Sequence, residues 1–396
     1  MKKILIANRG EIAIRIARTC NDLGIKTIGV FSEDDLNSLH LSKMDESFMI
    51  DEKGASAYLN IKKIIDIAKR EKVDGIHPGY GFLSENPEFA KSAKRARIKF
   101  IGPSEKSLMV FGDKSEAKQL ATKLDIPVIR GTQGKTSLKQ ASTFFKGLKK
   151  NSSLVIKAIA GGGGRGMRVV NSESDLKDAM NRASSEAKSA FDSSDLYVEE
   201  YLKNYRHVEV QVLGDGKGQA IHMHERECST QRRHQKILEI APAPGIKKEL
   251  KEKMLNASVA LIKESKYEGL ATVEFLVDYS KEDFKFIECN ARLQVEHTIT
   301  EAVLGLDLVK AQIQISSGKT LKQLKLEQEN IPEPKGFAIQ SRVNMEVMDS
   351  EGETKPSGGK FTSFDLPSGP GVRSDSYGYS GYETNPAFDS LIAKVI

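Results

Sequence analysis

The strongest constraint on the fold lies in residues 1–31. Lys3 to Ala7 reads as a short apolar strand of the buried type, Glu11 to Cys20 as a helix with Ile12, Ile16 and Cys20 on one stripe, and Lys26 to Phe31 as a second strand. A helix between two strands is the crossover that a parallel pair needs. Farther on, Gly75 and Ile76 end another strand. Asn86 and Pro87 supply an N-cap and a first-turn proline for a helix to about Arg97, and Lys99 to Ile101 returns as a strand. Residues 1–112 are therefore expected to form an N-terminal parallel α/β, Rossmann-like domain. The turn after its first strand reads NRGEIA, with one glycine. The GxGxxG that lets a backbone approach a pyrophosphate is missing, which argues against a nicotinamide cofactor.

From about residue 113 the pattern changes. Lys114 to Leu124 looks helical, and Leu154 to Ala158 is an apolar strand carrying Lys157 just before GGGGRGMRVV. The stretches 196–202, 207–214 and 272–279 read as further strands, and a KED turn joins the last to FIECNARLQVEH (286–297) as a hairpin. A central α+β domain is expected over 113–315. A smaller, mostly β domain richer in Gly, Pro and Ser is expected over 316–396, with GFAIQSRVN (336–344) as one of its strands. No long linker separates the three.

In FIECNARLQVEH every second side chain is polar: Glu288, Asn290, Arg292, Gln294 and Glu296. An extended chain would put these on one face, spaced about 7 Å apart. A solvated sheet face is the simplest account of such alternation. A row of functional groups is the other, and the flanking sequence bears on the choice.

Bulk properties exclude some classes of function. With 60 basic and 54 acidic residues the net charge is only +6, and the lysine pairs are scattered, unlike the dense stripe of a nucleic-acid-binding protein. Three distant cysteines, Cys20, Cys228 and Cys289, make no disulfide framework and fit a reducing compartment. The start MKKILIANRGE breaks its apolar run at Asn8, short of a signal-peptide core, and no apolar run reaches the ~18 residues of a membrane helix. A cytoplasmic protein with neither nucleic acid nor membrane as partner is expected.

Several residues point to chemistry. Glycines let backbone N–H groups approach phosphate oxygens, and Lys157 would add positive charge; a hairpin tip is the bland account of the same loop. It is not a Walker A loop, because no GK[ST] follows. Glu274, Glu288 and Asn290, on the two strands of the hairpin, offer the hard oxygen ligands that suit Mg²⁺ beside phosphates, or are surface residues. In CSTQRRHQK (228–236), Arg232, Arg233, His234 and Lys236 form either a solvated run or, with Arg292, a small-anion site. His222 and His224 lack a third ligand at zinc-like spacing and are read as structural.

Taken together, the motifs IANRGEIAIRIAR, HPGYGFLSENPEFA, GDKSEAK, GGGGRGMRVV, RHVEVQV, ERECSTQRRHQK, EIAPAPG, NARLQVEH and SRVN cover essentially the whole chain. In them the sequence resembles the biotin carboxylase family of the ATP-grasp superfamily, the component shared by acyl-CoA and pyruvate carboxylases. The resemblance implies ATP-dependent carboxylation of biotin by bicarbonate through carboxyphosphate. It implies a mobile lid at about 130–203 in the central domain, Lys114 and Lys157 on phosphates, Gly163 and Gly164 in the lid loop, and Glu199, Glu200, Tyr201 and Leu202 as the adenine hinge. His207, Gln231 and His234 would surround ribose and phosphates. Glu274, Glu288 and Asn290 would bind Mg²⁺ or Mn²⁺, and Lys236, Arg292, Gln294 and Val295 would form the bicarbonate pocket. Glu296 would be the general base, and Arg342 the cation facing the biotin enolate.

The same resemblance implies partners. No MKM-type biotin attachment site occurs, so biotin must arrive on a carrier protein or domain, and a carboxyltransferase must accept the product. A homo-oligomer is expected. Family members continue past residue 396, so the third domain is expected to be incomplete. The wording PSGGKFTSFDLPSGPGV resembles multidomain acyl-CoA carboxylases, with acetyl-CoA, propionyl-CoA, longer acyl-CoA and pyruvate all open as acceptors. Two other classes stay in view. One is a carbamoyl-type ATP-grasp ligase, against which Arg342 and the complete RLQVEH run argue. The other is a non-catalytic nucleotide-binding scaffold, which would be expected to have lost a lysine, a metal ligand or Glu296. Beyond Asn290 the chain is expected to leave strand geometry, since a regular strand would spread these groups too widely for one small anion.

Overall fold

Strand β1 (Lys3–Ile6) sits at the centre of a five-stranded parallel sheet with β2 (Lys26–Ser32), β3 (Glu46–Ile50), β4 (Gly75–His77) and β5 (Lys99–Phe100), in the order β3-β2-β1-β4-β5. The structure, a computed structural model, describes residues 1–150, 152–159, 167–350 and 352–396. The crossover helix Gly10–Asp22 buries Ile12, Ile16 and Cys20, the stripe read from the sequence. Helix Pro87–Arg95 starts where its cap residues place it: the Asn86 side chain accepts a 3.0 Å hydrogen bond from the Phe89 N–H, and Pro87 occupies the first turn.

A small antiparallel sheet follows, with β6 (Ser153–Ala158) between β7 (Arg168–Val170) and β8 (Leu196–Tyr201). Helices Leu138–Lys146 and Leu176–Phe191 cover one of its faces. Leu154, Ile156 and Val198 pack there against Ala141, Leu176 and Ala183 in a core of their own. Period two sends Lys157 and Glu199 to the opposite face.

The main sheet has eight antiparallel strands. β9 (Arg206–Asp215), β10 (Ala220–Arg232), β11 (Gln235–Ala241), β12 (Glu268–Asp278), β13 (Asp283–Asn290) and β14 (Ala338–Asn344) lie in the order β13-β12-β9-β10-β11-β14. Strands Leu391–Val395 and Ser374–Ser376 extend the β14 edge. These two C-terminal strands thus continue the central sheet, while Glu346–Met348 with Thr354–Pro356 and Gly359–Lys360 with Glu383–Thr384 form two small sheets of two strands each. Val208, Val210, Val212, Val273, Phe275 and Phe286 fill the core on one side of the sheet. At this rate of burial each large apolar side chain contributes about 1.5–3 kcal/mol. Among the described residues no helix is long and apolar enough to cross a membrane.

Candidate active site

The polar face of the main sheet is buried. Glu209, Gln211 and Thr272 are 0% exposed on neighbouring strands; of the alternating row itself Gln294 and Glu296 are buried and Glu288, Asn290 and Arg292 partly buried, so a freely solvated face does not describe it. Buried carboxylates require partners, and this face supplies them from several strands. On β9 and β12, Glu209 and Glu274 stand opposite each other in register. Lys236 of β11 reaches across: its Nζ lies 2.5 Å from Glu209, 2.9 Å from Glu274 and 2.8 Å from Glu296. Burial works against the ammonium charge, but Glu209, Glu274 and Glu296 outweigh it and hold Lys236 charged well above the ordinary lysine value. Arg226, fully buried on β10, donates to Glu209 at 2.5 Å, to Gln211 at 2.7 Å and to Thr300 at 2.9 Å.

Glu296 lies where the chain turns. β13 ends at Asn290, residues 291–296 are irregular, and a helix runs over His297–Leu304, so the chain leaves strand geometry where expected. The Glu296 carboxylate is wholly buried between Lys236 and the Arg342 guanidinium, which approaches within 3.1 Å. Burial favours its neutral acid, yet Lys236, Arg342 and Arg226 hold it ionised well below the usual carboxylate range. Arg342 is shared with a second buried carboxylate, Glu239, at 2.6 Å. Burial, and the nearby negative charge of Glu296, raise Glu239 to about 6 against the pull of Arg342. In the irregular segment Arg292 donates to Gln294 at 3.1 Å and is held by Glu85 at 2.8 Å. The Val295 carbonyl accepts from the fully buried Lys394 at 3.0 Å.

The hairpin read from the sequence is present, and Glu274 and Glu288 are cross-strand partners in it. Asn290 donates to Glu274 at 2.8 Å, and His207 lies 2.6 Å from the other oxygen of Glu274. Burial disfavours the His207 imidazolium, but Glu274 more than compensates and raises it above the ordinary histidine value. Gln231 completes this chain with a 2.9 Å contact to His207. His234 stands apart from that pair, exposed in the turn between β10 and β11.

Two triads of metal-capable side chains converge among the described residues, His207–Glu209–Glu274 and Glu209–Cys228–Glu296, with ligand atoms within 4.8 Å. Glu209, common to both, is held by two cations, Lys236 and the fully buried Arg226, so neither triad suits a metal ion. Glu274, Glu288 and Asn290 present oxygen donors from adjacent strands, with Glu288 partly exposed, and fit a hard divalent ion better.

Three lysines gather nearby. Lys157 lies 2.6 Å from Glu199, Lys118 pairs with the same carboxylate, and Lys114 is 3.5 Å from Glu288. Burial first, then mutual repulsion among the ammonium groups, lowers Lys118 and Lys157 below ordinary lysine values. Such a cluster suits a polyanion. A cavity of about 570 Å³ opens beside it, lined by Lys114, Lys118, Tyr197 and the segment 128–134. The Glu199 carboxylate is committed to lysines, so contact with a base would fall to its backbone. Glu200 is partly buried, Tyr201 is exposed and Leu202 is partly buried. Gly163 and Gly164 lie outside the described residues.

Sequence reasoning missed Glu209, Glu239, Arg226, Lys118, Glu85 and Lys394. Only Glu209 had a local signal: the alternation of HVEVQV puts it on the face of His207.

Comparison with known proteins follows the same layout. Residues 1–108 match the family model "Biotin carboxylase, N-terminal domain", 113–324 match "Carbamoyl-phosphate synthase L chain, ATP binding domain", and 340–396 match "Biotin carboxylase C-terminal domain". Pyruvate carboxylase of Bacillus subtilis is 47% identical over 403 residues, covering 100% of this chain and 34% of the relative. Human mitochondrial pyruvate carboxylase is 45% identical over 400 residues, covering 100% and 33%. The chain thus spans about a third of the length of these curated relatives. Among solved structures, the biotin carboxylase domain dimer of Hydrogenobacter thermophilus 2-oxoglutarate carboxylase, in complex with MgADP, ADP and bicarbonate, superposes with TM-score 0.94 at 40% identity, covering 100% of this chain and 85% of that one. A Campylobacter jejuni biotin carboxylase bound to an ATP compound gives TM-score 0.94 at 42% identity, covering 100% and 86%.

Proposed function

The chain belongs to the biotin carboxylase family, and from that premise we propose that it carboxylates biotin with bicarbonate at the expense of ATP, the first half-reaction of a biotin-dependent carboxylase. The observation that carries this reading is the convergence of Lys236 and Arg342 on one buried carboxylate, Glu296, beside the hairpin that bears Glu274 and Glu288.

Bicarbonate is a weak nucleophile until it loses its proton. In this reading it lies among Lys236, Arg292, Gln294 and Val295, and Glu296, kept ionised by its cations, takes the proton. The freed oxygen attacks the γ-phosphorus of ATP, a new O–P bond forms as the bond to ADP breaks, and carboxyphosphate results. Lys114 and Lys157 neutralise charge on the transferring phosphoryl group, and His207, Gln231 and His234 border ribose and phosphates. Glu274, Glu288 and Asn290 would hold Mg²⁺ or Mn²⁺, which supplies further charge neutralisation at the phosphates. Carboxyphosphate splits to CO₂ and phosphate, the phosphate removes the ureido N–H proton of biotin, and the nitrogen attacks CO₂. Arg342 faces the ureido oxygen where negative charge develops.

Biotin would arrive on a carrier protein or domain, and a carboxyltransferase would use the product. The Hydrogenobacter domain is a dimer, and we extend a homo-oligomer to this chain. The curated relatives named above favour pyruvate as final acceptor over the acyl-CoA acceptors suggested by the wording near the C-terminus. We place the protein in the cytoplasm, which suits three free, buried cysteines. The test is ADP release with and without bicarbonate and free biotin. Release that requires bicarbonate and rises with biotin is the expected result; release indifferent to bicarbonate would refute the proposal.

A further inference from the structure

Arg342 is held by two carboxylates that differ in their surroundings. Glu296 touches it at 3.1 Å and also faces Lys236. Glu239 accepts from its Nε at 2.7 Å and lies 2.6 Å from its terminal nitrogen, at 0% exposure. The second oxygen of Glu239 accepts from Gln340 at 2.9 Å, and Gln340 in turn accepts from the hydroxyl of Thr298. Thr298 lies in the first turn of the helix that begins directly after Glu296. Strand register explains the arrangement: Glu239 of β11 pairs with Gln340 of β14, two residues before Arg342 on the same edge.

The chemistry proposed above places unequal demands on these partners. When Glu296 takes the proton of bicarbonate it loses its charge, and among the described residues Glu239 is the anionic partner that Arg342 keeps. Arg342 is partly buried, and a guanidinium largely removed from water is costly without a counter-charge. We propose that Glu239 is the positioning residue for Arg342: it holds the guanidinium in place and in charge balance through the moment when Glu296 is protonated, so that Arg342 still faces the ureido oxygen when biotin reacts. Gln340 and Thr298 fix the carboxylate of Glu239 and tie it to the helix end that carries Glu296. This inference rests on the biotin-carboxylating reading.

The experiment compares wild type, Glu239→Gln and Glu239→Asp, measuring bicarbonate-dependent ADP release with and without free biotin. Glu239→Gln should cut the biotin-stimulated increment in kcat by about tenfold or more, while the biotin-independent rate falls by about threefold at most and the KM for ATP shifts by less than about twofold. Glu239→Asp, which keeps the charge, should recover part of the increment. In an Arg342→Lys background, Glu239→Gln should add less than about twofold, because it acts through the residue already changed. An undiminished biotin increment in Glu239→Gln, or a fully multiplicative effect in the double variant, would overturn the assignment. If Glu239→Gln unfolds at the assay temperature, Glu239→Asp carries the test: an increment equal to that of wild type with an unchanged KM for biotin overturns it, and a reduced one supports it. Wild type without bicarbonate-dependent release would instead defeat the functional reading itself.

Discussion

The ammonium of Lys236 lies 2.8 Å from a carboxylate oxygen of Glu296, deep in the main sheet. That contact keeps Glu296 ionised, the form in which a carboxylate can act as a base, and it ties the fate of each residue to the other. Replacing Glu296 by the isosteric Gln removes the proton acceptor and leaves the volume. Turnover should fall by about 10²–10⁴ while the KM for ATP stays within a few-fold. Steady-state ADP release decides it, and a rate near that of wild type would take Glu296 out of the base role.

Lys236→Met removes a cation that Glu209, Glu274 and Glu296 share. Each carboxylate keeps another partner, respectively Arg226, His207 and Arg342. The loss of stability should therefore fall near the lower end of the range for a broken buried pair, about 3 kcal/mol. Urea unfolding measures it; a loss under about 1 kcal/mol would mean that water takes the place of the ammonium.

Glu288 is partly exposed, and its ion pair with Lys114 is long at 3.5 Å. Glu288→Gln should shift stability by no more than about 1 kcal/mol. As one of the proposed metal ligands, however, it should raise the Mg²⁺ concentration for half-maximal activity by about tenfold or more. A Mg²⁺ titration with the same midpoint in both proteins would exclude the ligand role.

His40 and His77 are wholly buried, and burial lowers them to about 4 and about 3. Folded, they stay neutral where the unfolded chain takes up protons. Their contribution is fully present above the unfolded value near 6.5 and is lost as pH falls towards the folded values. From pH 7.5 to 5.5 each should remove about 1.4 kcal/mol of stability. His40→Asn should flatten that slope in paired denaturation series, and an identical slope would show that His40 does not titrate between the two states.

Local periodicity made much of this protein legible. Two apolar runs around an amphipathic helix specified the parallel N-terminal sheet, and one missing glycine pattern removed the nicotinamide reading. The KED turn between two strand patterns placed Glu274 and Glu288 on adjacent strands of a hairpin, where they are cross-strand partners. Turn and cap residues such as Asn86 and Pro87 settled where helices begin.

The pairings that define the site were beyond such reasoning. Lys236 meets partners 27, 38 and 60 residues away in sequence, and Arg342 meets Glu239 at a separation of 103. Lys394 reaches the Val295 carbonyl only because its strand lies beside β14. Local pattern dictates which way a side chain points, through backbone geometry alone. Which carboxylate meets which cation depends on the order of strands across the sheet, and that order follows from burying the apolar faces of distant segments together. The sequence by itself thus determined the elements and their faces, and only the tertiary structure decided the charge network that joins them.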